Sequence, residues 1–158
     1  MFNFMKSSEK KLVSPVTGKC ILVTECEDAV FREKVLGDGV AVIPSEKEVY
    51  SPCDGTVIQI AHTFHAVCFE TDDGLEILLH LGMDTVKLAG EGFTCLVTKG
   101  QKVKAGEKIM EMDLDLVQSK GFQIVSPCII TNMDIVKKHK FVTGEVVHGQ
   151  SSIMRYSI

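Results

Sequence analysis

The 158 residues fit one domain, spanning 1–158, and the 45% apolar and 24% charged fractions are those of an ordinary globular chain. The formal net charge of −4 argues against a nucleic-acid surface and suits a basic protein partner better. The densest basic run is only Lys137-Lys138-His139-Lys140, and no stretch approaches the ~20 apolar residues of a membrane-spanning segment. Residues 1–12 read as a flexible N-terminal segment. Phe2, Phe4 and Met5 beside Lys6, Lys10 and Lys11 make at most a weak membrane-surface tether, with neither the length nor the cleavage site of a signal peptide. The Met1 start favours a free-standing protein over a piece of a longer polypeptide.

Short runs rich in Val, Ile and Leu then alternate with Gly, Pro and Asp turn signals, which is the texture of a β protein. Strands are predicted over 19–24, 40–44, 55–61, 66–70, 75–81, 93–97 and 108–112. Helical periodicity is confined to two short pieces, 113–120 and 132–138, each opened by a capping residue, Asp113 and Asn132. No strand–helix–strand alternation occurs, so a doubly wound parallel sheet is disfavoured. A faint repeat of Ser14-Pro15, Ser51-Pro52 and Ser126-Pro127, each leading into aliphatic residues, suggests a quasi-symmetric arrangement of strands. The six cysteines, none in a Cys-x-x-Cys pair, read as buried thiols in a reducing cytoplasm.

The segment from Thr63 to Gly82 carries the chemistry. Two strand-like runs flank Asp72-Asp73-Gly74, a hairpin signal. If Asp72-Asp73 is a two-residue loop, His65 lies directly opposite His80. If Asp73-Gly74 is the loop, His80 faces Val67 and His65 is its diagonal neighbour. Both registers put the imidazoles on one sheet face, with Cβ atoms about 4.5–8 Å apart. A loop of odd length would break that parity. Leu75, Ile77, Leu79 and Leu81 form the natural core face of the second strand, so His80 points away from the core.

A neutral imidazole is a good nucleophile, and its unperturbed pKa of ~6.5 keeps it mostly neutral near pH 7. One histidine can attack a phosphoryl group while the other donates a hydrogen bond to its oxygens. The same pair can hold Zn²⁺ only with further ligands from elsewhere. No Gly-x-x-x-x-Gly-Lys-Ser/Thr loop and no Gly-x-Gly-x-x-Gly turn is present, so a phosphoryl donor would be another protein.

The run Gly74-Leu75-Glu76-Ile77-Leu78-Leu79-His80-Leu81-Gly82-Met83-Asp84-Thr85-Val86 is followed by Leu88-Ala89-Gly90-Glu91-Gly92-Phe93. Around it stand Val35-Leu36-Gly37-Asp38-Gly39-Val40-Ala41, Thr63-Phe64-His65-Ala66, Gly100-Gln101-Lys102-Val103-Lys104-Ala105-Gly106 and Thr131-Asn132-Met133-Asp134. In order and spacing, from about Val13 to Val136, these resemble the glucose-type enzyme IIA component of the bacterial phosphoenolpyruvate-dependent sugar phosphotransferase system. The resemblance implies an all-β, antiparallel sandwich or barrel-like fold of the duplicated hybrid motif type, with one or two short helices. It implies that His80 carries the phosphoryl group, and that His65 and Thr63 support it. The small phosphocarrier HPr would donate, and a cysteine of a sugar-specific IIB domain of the IIB/IIC permease would accept. Asp38 and Asp84 would meet arginines of the donor.

Leu78 and Val40 are expected to form an apolar collar around His80. No cofactor is required on this reading, although Zn²⁺ at the His65/His80 pair is one option. Phe64, Ala61 and Leu78 depart from residues common in relatives, which bears on which IIB partner fits. A role as a regulator switched by phosphorylation of His80, binding further target proteins, is compatible with transfer. A biotin or lipoate carrier would need a lysine at the hairpin tip, where this chain has Asp72-Asp73-Gly74. A zinc peptidase on a related scaffold would need a His-x-His pair, which is absent. His62, His139, His148 and the segment 145–158 receive no role.

Overall fold

The computed structural model describes residues 9–158. Fourteen strands are present among them: β1 Lys10–Val13, β2 Gly18–Leu22, β3 Asp38–Pro44, β4 Glu48–Tyr50, β5 Gly55–Ile60, β6 Ala66–Thr71, β7 Glu76–His80, β8 Phe93–Cys95, β9 Lys102–Val103, β10 Lys108–Met112, β11 Ser126–Ile130, β12 Lys138–Phe141, β13 Gly144–Val146 and β14 Ser152–Ser157. The helices α1 Ala29–Arg32 and α2 Leu114–Ser119 are short. All strand pairs are antiparallel.

Eight strands form one sheet in the order β13-β2-β3-β11-β7-β6-β5-β9. Two three-stranded sheets, β1-β14-β12 and β4-β10-β8, complete the architecture. One core cluster draws on all three sheets, with Leu12 and Met154 from one, Met110 and Met112 from another, and Phe69, Ile77 and Leu79 from the largest. The alternation in β7 is as predicted. Leu75, Ile77, Leu79 and Leu81 are at most 1% exposed, whereas Leu78 and His80 stay partly accessible.

All seven predicted strands exist, with ends moved by one to two residues at most sites. The helix 113–120 is α2, capped by Asp113, whose carboxylate accepts from the Leu116 N–H. The helix expected at 132–138 is not there. Only a 3-10 turn, Met133–Ile135, forms, and the chain continues into β12. The Asn132 side chain is not a helix cap. It accepts from the Glu76 N–H at 2.8 Å and donates to the Gly74 carbonyl at 2.8 Å, which ties it to the β6–β7 hairpin. These tertiary bonds, with the Lys137 N–H donating to the Ser157 carbonyl at 2.9 Å, override the weak local preference.

The N-terminal expectation is also corrected in part. Lys10–Val13 is a strand that pairs with Tyr156, Arg155, Met154 and Ser152, so 10–12 are ordered by the C-terminal strand. Phe2, Phe4, Met5 and Lys6 lie outside the described residues. The repeat is real for two of its three members. The buried Ser14 and Ser51 hydroxyls donate to the carbonyl two residues on, at Val16 and Cys53, both at 2.7 Å. The strands that follow, β2 and β5, each lie second from one end of the large sheet. Ser126 differs: it sits inside β11 and donates backwards to the Ile124 carbonyl.

All six cysteines are free thiols. Burial pushes Cys20 and Cys53 up to about 12, so neither is an available thiolate near neutral pH.

Candidate functional site: an imidazole pair under a short helix

The hairpin that brings the histidines together has an odd loop. Ala66 pairs with His80, Cys68 with Leu78 and Glu70 with Glu76. The three residues Asp72, Asp73 and Gly74 close between Thr71 and Leu75, whose backbones bond at 2.9 Å. Neither two-residue register therefore occurs. The backbone of His65 instead accepts from the Leu81 N–H at 2.7 Å. Strict alternation would send its ring to the core side.

The pleat is broken just before β6. The Phe64 N–H donates to the Ala61 carbonyl at 2.8 Å, and Phe64 adopts the left-handed conformation, φ +59°. An aromatic residue there is unusual and costs strain. The turn swings His65 to the outer face, where its ring centroid lies 5.1 Å from that of His80 with the planes 79° apart. The expected juxtaposition holds, and a turn rather than the sheet register produces it.

Two hydrogen bonds orient the rings. His80 Nδ1 lies 2.7 Å from the Gly82 carbonyl. A carbonyl only accepts, so Nδ1 carries the proton and Nε2 keeps its lone pair. His65 Nδ1 lies 2.5 Å from Thr63 Oγ1, whose hydroxyl can donate or accept. Burial lowers the pKa of His80 below 6.5, opposed by the Gly82 contact and by the charges of Asp28 and Asp84. The pKa of His65 is lowered first by burial and then by the charge of His80. Both rings are thus held toward the neutral form.

The residues expected around the pair divide. Leu78 stands on the His80 face, packed on a second apolar cluster of Val23, Cys26, Phe31, Ala41, Met83 and Ile129. Val40 does not join it. It is 1% exposed, pairs with Cys128, and belongs to the main core on the opposite face of the sheet. Position 40 has the wrong parity, and Ala41 is the β3 residue that packs on this side. Asp38 is likewise engaged elsewhere. Its Oδ1 accepts from the Gly39 N–H, and its Oδ2 lies 3.5 Å from Lys34 Nζ. The carboxylates whose charge reaches His80 are Asp28 and Asp84. Asp84 is exposed at φ +58°, just before the 3-10 turn Thr85–Leu88.

Sequence reasoning missed Asp28 and Phe31. Asp28 caps α1 by accepting from the Val30 N–H at 2.9 Å. The Phe31 ring lies 5.1 Å from the His80 ring with the planes 59° apart. An aromatic residue alone within the charged stretch from Glu25 to Lys34 was the available signal. Val30, Phe64 and Val86, 44%, 37% and 51% exposed, are apolar residues close in sequence to Phe31, His65 and Asp84. Exposed apolar groups of this kind suit protein docking.

The pair offers a metal ion two imidazoles at most. Among the described residues no group of three or more His, Cys, Asp or Glu side chains is placed to hold an ion. A tetrahedral zinc site would have to be completed by another molecule.

The family described as phosphoenolpyruvate-dependent sugar phosphotransferase system, EIIA 1, matches residues 10–136. The chain is 40% identical over 154 residues to the glucose-specific EIIA component of Bacillus cereus, covering 97% of this chain and 93% of that protein. It is 43% identical over 148 residues to the N-acetylglucosamine-specific EIICBA component of Escherichia coli, covering 90% of this chain and 22% of that longer protein. Among solved structures, glucose permease IIA from Mycoplasma capricolum superposes with a TM-score of 0.87 at 38% identity, covering 93% and 95% of the two chains.

Proposed function

This chain belongs to the EIIA 1 family of the phosphoenolpyruvate-dependent sugar phosphotransferase system, whose members are phosphotransferase components, and we propose that it carries the phosphoryl group on Nε2 of His80. The observation that carries this reading is the bond from His80 Nδ1 to the Gly82 carbonyl, because it leaves Nε2 unprotonated. The Nε2 lone pair attacks phosphorus in a phosphohistidine of the donor HPr. The donor's N–P bond breaks, and its electron pair returns to the departing imidazole. In the second step a cysteine thiolate of the IIB domain attacks the same phosphorus, and His80 leaves as the neutral ring. Relatives fused to IIC and IIB segments support that acceptor.

His65 assists when Thr63 donates into Nδ1. The proton then sits on Nε2 and can bond a phosphoryl oxygen. Asp28 and Asp84 repel the incoming phosphate unless a partner brings cations, so the site favours reaction within a docked complex. The relatives are named for glucose and for N-acetylglucosamine, which fits a carrier whose sugar is set by its IIB/IIC partner. No helix among the described residues is long and apolar enough to cross a membrane. The phosphoenolpyruvate-fed relay sets its place of work in the cytoplasm. Zinc enters this reading only as an ion shared with a docked protein.

Incubation with enzyme I, HPr and phosphoenolpyruvate should add one acid-labile, base-stable phosphate. His80→Gln should accept none, and retained labelling would defeat the assignment. His65→Gln should still be labelled but pass the group on slowly; normal onward transfer would remove His65 from the mechanism.

A further inference from the structure

The second apolar cluster is unusual in its placement. It lies on the outer face of the large sheet, where Ala41 of β3, Ile129 of β11 and Leu78 of β7 would otherwise meet solvent. Val23, Cys26, Met83 and Phe31 cover them. Phe31 comes from α1, a helix of only four residues, too short to be stable without packing. Its ring is 5% exposed, so the cluster holds it from behind. Its contact on the site side is the imidazole of His80, at 5.1 Å between centroids. The side chain of Asp28, which starts the helix, acts on the same imidazole through its charge.

Resting on the assignment of His80 as the phosphoryl carrier, we propose that Phe31 is a positioning residue of the transfer reaction: it clamps the His80 ring in one orientation and shields it from water. The bond to Gly82 holds the Nδ1 edge of the imidazole and leaves the ring face and the Nε2 edge without a contact of their own from that carbonyl. A tilted aromatic contact on the ring supplies the second constraint. Together they aim Nε2 along one direction. The same shield keeps water from a phosphohistidine, whose hydrolysis would waste the group before an acceptor docks.

Phe31→Ala and Phe31→Leu test this, with the His80 Cε1–H resonance followed against pH in the unphosphorylated protein. Besides burial, the Gly82 carbonyl, Asp28 and Asp84 act on that titration, His65 faces the same ring, and all four stay in both variants. Opening the ring to water should raise the His80 pKa toward 6.5 in the Ala variant and less in the Leu variant. The phosphorylated Ala variant should hydrolyse faster. Its kcat for donor-driven labelling should fall roughly tenfold or more, as misaimed reactive groups do, with KM for the donor little changed. An unchanged His80 titration, or a rise in KM alone, would overturn the proposal and make Phe31 a docking residue. If the Ala variant does not fold, the Leu variant carries the same readouts. The titration needs no phosphoryl transfer, so a wild-type chain that accepts no phosphate would defeat the assignment of His80 without touching this measurement.

Discussion

Gly82→Ala should damage stability and chemistry together. Gly82 follows β7 by two residues at φ +77°, a left-handed backbone that costs an alanine about 1 kcal/mol. An added Cβ would lie 2.6 Å from Thr85 Cγ2 and 2.8 Å from the Gln123 carbonyl oxygen. Neither neighbour yields easily. Thr85 is buried with its hydroxyl donating to the Leu81 carbonyl at 2.6 Å, and the Gln123 carbonyl accepts from the Met83 N–H at 3.0 Å. Overpacking of this kind costs about 1–3 kcal/mol, so the total is about 2–4 kcal/mol. For a domain of this length that corresponds to a fall in Tm of roughly 5–15 °C.

The chemical effect follows from the same displacement. Relief of the clash moves the Gly82 carbonyl, which is the acceptor that fixes the proton on His80 Nδ1. Labelling by phospho-HPr should slow even at temperatures where the variant is folded. Thermal melting by circular dichroism and an initial-rate labelling assay measure the two effects. A variant that melts within about 2 °C of the parent and labels at the parent rate would refute both the strain and the tautomer arguments, since that is less than 1 kcal/mol.

Two more outcomes come from the electrostatics. Both His65 and His80 titrate below 6.5 in the folded chain, so between those lowered values and 6.5 the unfolded chain binds more protons. The corresponding stability is fully present above about pH 6.5 and is lost as pH falls below it, and urea midpoints of the parent and of a His65→Gln/His80→Gln double variant should diverge in that direction. Asp28→Asn should lower the His80 pKa further, because the Asp28 charge raises it, while the amide still caps α1. Proton NMR titration reads the shift, and an unmoved His80 would show that the Asp28 charge does not reach the ring.

Much of this site was legible along the chain. The alternation Leu75, Ile77, Leu79, Leu81 put His80 on the outer face, and the family resemblance tied Thr63 to His65. Both stand in the structure, with Thr63 Oγ1 on His65 Nδ1. Val40 was misplaced because the facing of β3 is set by strands remote in sequence, and Asp38 because its carboxylate is taken up by local partners on either side of it. Ala41, not Val40, packs on the active face, and Lys34 engages Asp38. Asp28 and Phe31 were missed because four residues of helix carry no periodic signal.

Local patterns of period two and residue type were enough to read the β class, the hairpin between Ala66 and His80, and the chemistry of two neutral imidazoles. How the rings meet is settled in the folded chain alone. A three-residue loop set the opposite parity, and a left-handed Phe64, backed by the Ala61 turn, returned His65 to the face of His80. A one-residue change in loop length reverses every side chain of a strand, and that choice is made by closure of the loop within the folded sheet.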